Sequence, residues 1–170
     1  MQLKSINKQR YREHLNKVIV GTIAIFATLS LGLSTLIIQL FTDGEGTHFW
    51  INLGGVVLAM IIVWQILKAY QNHDYLTEIK YVWDLKQTLN LITRAHKKIQ
   101  AGVDNNNPSA MRILLFSYKG SQQVYQLDDN TITMSELNQK IAALEEKMTA
   151  LNLPIEGDVF QHEWLENLTS

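Results

Sequence analysis

Residues 18–41 read VIVGTIAIFATLSLGLSTLIIQLF and contain no ionisable side chain. At a rise of about 1.5 Å per residue, a helix of this length exceeds the roughly 30 Å of a membrane's hydrocarbon core. A cleaved signal peptide is the competing interpretation, since basic residues precede the run. Apolar regions of signal peptides span only about 7–15 residues, and residues 40–43 (LFTD) carry no small-residue cleavage pattern. The stretch therefore predicts an uncleaved membrane span.

A second apolar stretch covers residues 49–67 and begins with an aromatic pair, Phe49 and Trp50, of the kind found at membrane interfaces. Only the polar residues 42–48 separate it from the first stretch, too few for a folded domain. The two stretches therefore predict a helical hairpin embedded in the lipid bilayer.

The positions of lysine and arginine predict how the hairpin is oriented. Basic residues precede the first span and follow the second, whereas the connection contains Asp43 and Glu45 but no Lys or Arg. Since short basic flanks stay on the cytoplasmic side, both termini are expected inside and the loop outside. Two carboxylates fall short of the 6–8 oxygen ligands that calcium takes, so a solvated turn is favoured over a calcium site.

Small and polar residues recur at three- and four-residue spacing in both spans. Such residues let membrane helices approach closely, so we expect these stripes to meet within the hairpin or between copies of the chain. The transmembrane packing residues are Gly21, Ala24, Thr28, Gly32, Thr35 and Gln39 in the first span and Asn52, Gly55 and Ala59 in the second.

The carboxyl-terminal half has the apolar periodicity of amphipathic helices. The second span is expected to run on into a long helix that ends near Gly102. Its buried stripe is Ile79, Val82, Leu85, Leu89, Ile92, His96 and Ile99. Its basic residues Lys80, Lys86, Arg94, Lys97 and Lys98 are interspersed with acidic ones, which favours a solvated face over contact with anionic lipid.

Local signals divide the rest of this half into further helices. Asn107 and Pro108 match an N-cap followed by proline at the first helical position. Thr133 and Glu136 match a capping box that opens another helix. The apolar tail after Leu153 and Pro154 is expected to dock as a short helix.

Apolar residues in the helix after Thr133 step by three and four, as in a heptad repeat. The repeat is shorter than the three to four heptads of a firm coiled-coil prediction, so packing within the chain's own bundle and pairing between molecules both remain open. This interaction seam consists of Met134, Leu137, Ile141, Leu144, Met148 and Leu151.

Composition excludes several functions. The net charge of −1 argues against nucleic-acid binding, and the absence of cysteine removes disulfides, thiolate metal sites and cysteine nucleophiles. The histidines His14, His73, His96 and His162 form no recognisable catalytic or zinc motif. We therefore predict no catalytic residue, cofactor, metal or small-molecule substrate.

Several segments resemble an uncharacterised bacterial inner-membrane family, a domain of unknown function with two transmembrane helices and a cytoplasmic helical domain. They are RYR (10–12), HLNK (14–17), LSLGLST (29–35), NP (107–108), FSYKGS (116–121) and LDDNT (127–131). The resemblance implies a bacterial setting but no activity.

The sequence thus predicts an all-α chain. It comprises a basic cytoplasmic segment (1–17), two transmembrane helices (18–41 and 49–67) joined by an external loop (42–48), and a cytoplasmic helical domain (68–170). A non-enzymatic inner-membrane protein that binds a protein partner or forms a homo-oligomer is the leading hypothesis. A subunit of an oligomeric pore or transport complex, and a membrane-anchored ligand sensor or enzyme, are the alternatives.

Overall fold

The computed structural model describes residues 1–43, 46–130 and 132–169. Within these residues the secondary structure is helical, with one isolated antiparallel bridge between Gln2 and Val159 and no strand. The predicted all-α class is confirmed. Glu45 of the predicted loop and Thr131 of the resembling segments lie outside the described residues. The helices are α1 (Lys8–Phe41), α2 (Phe49–Tyr70), α3 (Thr77–Arg94), α4 (His96–Asp104), α5 (Pro108–Leu127), α6 (Met134–Ala150) and α7 (His162–Thr169).

The chain divides into two compact units. The hairpin unit, Glu13–Ile79, contains most of α1 and all of α2. The bundle unit joins Met1–Arg12 to Lys80–Ser170. The association of the first twelve residues with the carboxyl-terminal helices has no counterpart in the sequence analysis.

The predicted continuous helix after the second span is wrong at two places. After α2 ends at Tyr70, the backbone at His73 is extended and its ring nitrogen accepts a hydrogen bond from the Tyr75 amide at 3.2 Å. A short 3₁₀ helix, Asp74–Leu76, follows before α3. Because a side chain replaces the helical backbone acceptor there, the helix cannot propagate through this turn.

The second interruption, at Ala95, separates α3 from α4 and changes which side chains are buried. Val82, Leu85, Ile92 and Ile99 are buried as predicted. His96 is exposed, because the break shifts the helical register immediately before it. Burial of the predicted stripe is therefore confirmed at these positions of α3 and α4, but not at His96 beside the junction.

Helix α4 ends near Gly102 as predicted, but Gly102 is not the left-handed residue that stops it. The helix continues to Asp104, and Asn106, with φ of 57°, takes the left-handed conformation instead. Gly102 serves close packing, since a Cβ there would lie 2.7 Å from the Cβ of Ala110 on α5. The absence of a side chain at this position lets α4 and α5 approach each other.

Helix α5 forms the centre of the bundle unit and packs against α4, α6 and α7. Its buried residues include Met111, Ile113, Leu115 and Phe116, all fully enclosed. The predicted start is confirmed: Asn107 accepts hydrogen bonds from the amides of Ser109 and Ala110 at 2.9 and 3.2 Å, and Pro108 is the first helical residue.

The sequence predictions for α6 and α7 are confirmed only in part. Thr133 is the N-cap of α6 but its side chain makes no capping hydrogen bond, so the predicted capping box is not formed. Glu136 instead pairs with Lys140 at 2.6 Å. The tail docks as predicted, as helix α7, with Phe160 and Leu165 buried.

Candidate functional site

Four small residues lie at the interior of the hairpin unit: Ser30 and Ser34 of α1, and Gly55 and Ala59 of α2. Ser30 Oγ donates to the carbonyl of Phe26 in its own helix at 2.8 Å, and Ser34 Oγ donates to the carbonyl of Asn52 on α2 at 3.4 Å. A Cβ at Gly55 would lie 3.1 Å from the backbone nitrogen of Ser34. The two helices therefore meet through small residues, as membrane helices do.

The outer surface of the hairpin unit is strongly apolar. The large apolar side chains that are at least 66% exposed include Val20, Leu31 and Leu40 on α1 and Trp50 and Trp64 on α2. Only 6% of the apolar window of α1 and 17% of that of α2 are buried, whereas the core helix of a soluble protein is mostly buried. Both helices are long and apolar enough to cross a membrane.

The structure divides the predicted transmembrane packing residues between two environments. Gly55 and Ala59 are buried in the hairpin, and the backbone carbonyl of Asn52 accepts the Ser34 hydrogen bond. The stripe on α1 lies away from that contact: Ala24, Thr28, Gly32, Thr35 and Gln39 are exposed, and Gly21 is half-buried. Ser30 and Ser34, which the sequence analysis did not select, take the hairpin contact instead.

The predicted interaction seam lies largely inside the bundle unit. Leu137, Leu144 and Met148 are buried where α6 packs on α5, and Met134 and Ile141 are half-buried. Leu151, at the end of the seam, is 38% exposed. The seam thus packs against α5 within the chain, and pairing between molecules stays a prediction.

A cluster of charged residues attaches the start of α1 to the turn after α5 within the bundle unit. Lys8 and Arg12 both form ion pairs with Asp129. The neighbouring Asp128 accepts hydrogen bonds from the Tyr11 hydroxyl at 3.3 Å and from Lys86 Nζ at 2.7 Å. We name these residues the amino-terminal anchor.

Hydrogen bonds from the first four residues extend this attachment. The Met1 amine donates to the Phe160 carbonyl at 2.8 Å, and the Phe160 amide donates back to Met1 at 2.8 Å. The Lys4 amide donates to the Tyr81 hydroxyl at 2.8 Å, and burial raises the pKa of Tyr81. Nothing in the local sequence indicates these contacts, because their partners lie 77 or more residues away.

The four histidines considered for chemistry are dispersed. His14 stacks on Tyr75 with a centroid separation of 3.8 Å, donates from Nδ1 to the Tyr75 carbonyl at 3.0 Å, and lies 3.9 Å from Glu78. His73 caps the 3₁₀ helix, whereas His96 and His162 line one cleft. Among the described residues, no three of His, Asp and Glu come together as metal ligands would.

Comparison with known proteins gave one result. A family model described as "Protein of unknown function (DUF3087)" matches residues 1–165. No curated protein and no solved structure matches the chain.

Proposed function

The chain belongs to the family described as protein of unknown function (DUF3087), and from that premise we propose that it is a non-enzymatic integral membrane protein that acts as an interaction or self-association module. The observation that carries the proposal is the hairpin unit, with small residues at its interior and large apolar side chains at its surface. In water, apolar patches beyond a few hundred Å² are rare on monomeric proteins, whereas lipid accommodates them without cost.

In this proposal α1 and α2 span the inner membrane of a bacterial cell, with both termini in the cytoplasm. Support comes from the basic residues on both flanks, including Lys17 and Lys68, and from the connection, which lacks lysine and arginine. The bundle unit then lies on the cytoplasmic side, where its helices are available to other proteins.

Single-cysteine labelling tests this topology directly, since the natural chain contains no cysteine. Thr47→Cys places a thiol in the connection, and Ser135→Cys places one on the exposed side of α6. A membrane-impermeant maleimide should label the first variant in intact spheroplasts and the second only after permeabilisation. Ser34→Cys, buried in the hairpin, is the control that should stay unlabelled in both.

Two results would contradict the proposed topology. Labelling of Ser135→Cys in intact spheroplasts, with the chain in the membrane fraction, would place the bundle outside the cytoplasm. Recovery of the chain in the soluble fraction without detergent would remove the membrane assignment altogether.

For self-association we propose that a second copy packs on the exposed stripe of α1. The stripe combines Gly21, Ala24, Thr28 and Gly32 at helical spacing, and space for a neighbour is open above Gly21 and Gly32. Small residues at three- and four-residue spacing are the usual contact of paired membrane helices. The proposed partner is therefore another molecule of the same chain.

Oxidative crosslinking tests this contact. A cysteine at Thr28 should form a dimer in the membrane, and a cysteine at Ile23, on another side of α1, should not. Adding Gly32→Leu should abolish the dimer because it fills the stripe. Gly54→Leu is the matched control, since open space lies above that glycine too. Equal crosslinking at both cysteines, or equal effects of both glycine variants, would refute the stripe as the contact.

A further inference from the structure

A cleft of about 990 Å³ opens in the bundle unit beside the junction of α3 and α4. Leu91 of α3 and Leu165 of α7 contribute apolar surface, and Leu165 is only 6% exposed. Arg94, His96 and Lys97 line the cleft from the junction, and His162 lines it from α7. A volume near 1,000 Å³ is at the upper end of pockets that hold small molecules.

Several cationic side chains elsewhere on the bundle have a carboxylate partner. Lys8 and Arg12 pair with Asp129, Lys86 pairs with Asp128, and Lys119 pairs with Glu145. Within the part of the chain that the structure describes, Arg94 and Lys97 form no ion pair or side-chain hydrogen bond. Lys98 and Glu166 also line the cleft, and each makes an interaction of its own.

Two helix ends meet at the cleft, because α3 ends at Arg94 and α4 begins at His96. Helix α4 begins at His96, and its N-cap residue, Ala95, has no side chain that could accept hydrogen bonds from the first turn. The amino-terminal end of a helix carries a partial positive charge and favours anions. The carboxyl-terminal end of α3, which carries a partial negative charge, lies at the same junction. The positive charge of the cleft therefore comes from its cationic side chains, Arg94 and Lys97, and not from the backbone.

We propose that the cleft binds a phosphate group carried on an apolar body, with Arg94 and Lys97 holding the phosphate and Leu91 and Leu165 contacting the apolar part. The planar guanidinium of arginine matches phosphate oxygens in pairs, and lysine supplies a second point charge. The phosphate belongs either to a phospholipid headgroup or to a soluble organic phosphate, since both present the same chemistry to these residues.

Two probes separate these sources, both used on the full chain in micelles of an uncharged detergent. Phenyl phosphate, titrated by calorimetry, represents a soluble organic phosphate. Phosphatidic acid, measured by its retention on the chain in native mass spectrometry against phosphatidylcholine, represents a lipid. Binding of phenyl phosphate alone supports a soluble ligand, and selective retention of phosphatidic acid alone supports a lipid.

The deciding variant is Arg94→Gln with Lys97→Gln, both at exposed positions, so that the bundle should keep its melting temperature. We expect binding of the effective probe to weaken at least about tenfold, because two charge-assisted contacts are lost. Lys86→Gln with Lys140→Gln removes the same charge outside the cleft and should change binding less than about twofold, as expected for exposed paired charges. Failure of both probes to bind the natural chain, or equal weakening in both double variants, would overturn the proposal.

Discussion

The Tyr11 hydroxyl lies 3.3 Å from Oδ1 of Asp128 and donates a hydrogen bond to it, although 117 residues separate the two in the chain. Tyr11 is only 2% exposed. The pair therefore joins the first turn of α1 to the turn after α5 through a buried ring and a polar contact. This hydrogen bond is the best-enclosed contact of the amino-terminal anchor, because the ion pairs of the anchor involve partly exposed side chains.

Replacement of Tyr11 by phenylalanine should destabilise the bundle by about 1 kcal/mol near neutral pH, the usual net value of one hydrogen bond. The variant keeps the buried ring, so the loss reports the hydroxyl alone. Thermal unfolding followed by near-ultraviolet circular dichroism measures it, with Tyr70→Phe, at an exposed tyrosine, as the control. A melting temperature unchanged from the natural chain would show that the bond contributes nothing.

The same tyrosine predicts a loss of stability in alkali. Burial, followed by the charge of Asp128, raises the pKa of Tyr11 from 10.0 to about 12. The folded state therefore holds the phenolic proton of Tyr11 more tightly than the unfolded state does. The contribution of protonated Tyr11 to the free energy of unfolding is complete below pH 10 and is lost as the pH rises towards 12. The stability difference between the natural chain and Tyr11→Phe should therefore shrink between pH 9 and pH 12. A difference that stays constant across this range would contradict the assignment.

Gly55 and Gly54 offer a matched pair for testing the hairpin contact. A Cβ at Gly55 would lie 3.1 Å from Ser34 N and 3.3 Å from Ser30 O, whereas the space at Gly54 is open. Gly55→Ala should cost about 1–3 kcal/mol, the usual penalty for overpacking, and Gly54→Ala should cost nothing measurable. Unfolding of the hairpin in mixed micelles with increasing sodium dodecyl sulfate measures both. Similar losses in the two variants would mean that the contact of Gly55 with α1 does not set the effect, since alanine has the higher helix propensity at both positions.

Gly102 and Ala110 allow a test by compensation. Gly102→Ala should destabilise the bundle by about 1–3 kcal/mol, because the two Cβ atoms would lie 2.7 Å apart. Adding Ala110→Gly removes the second of these atoms and should recover part of the loss, offset by the lower helix propensity of glycine in α5. Chemical unfolding of both variants and of Ala110→Gly alone completes the cycle. Strictly additive effects would show that the two positions do not touch.

Asn107 and Thr133 show what local sequence signals predict about the start of a helix and what they do not. Both match N-cap patterns, but only Asn107 receives hydrogen bonds from the following amides, at 2.9 and 3.2 Å. Proline after Asn107 fixes the entry into α5, whereas Glu136 is drawn to Lys140 rather than back to the cap. A cap motif thus located both helix starts but did not determine which cap would form its hydrogen bonds.

Features that depend on distant residues were not predictable in the same way. Apolar length identified α2 and residues 18–41 of α1, but not the part of α1 that begins at Lys8. Periodicity identified α5 and α6. The docking of Met1 at Phe160 joins residues 159 apart, and no periodic signal marks it. Likewise, the sequence showed which residues of α1 are small but not that Ser30 and Ser34 would face α2, because that depends on the angle at which the helices meet.

The interaction seam gives the last prediction, since its residues differ in burial. Met148 is fully buried and Leu151 is 38% exposed at the end of α6. Met148→Ala should therefore destabilise the bundle by about 2–5 kcal/mol, the range for emptying a core position, and Leu151→Ala should cost less than about 1 kcal/mol. Because the seam packs on α5 of the same chain, the loss at Met148 should be the same at low and high protein concentration. If the loss instead shrinks as both proteins are diluted, the seam pairs between molecules, because dilution removes the stabilisation of an intermolecular contact from the natural chain.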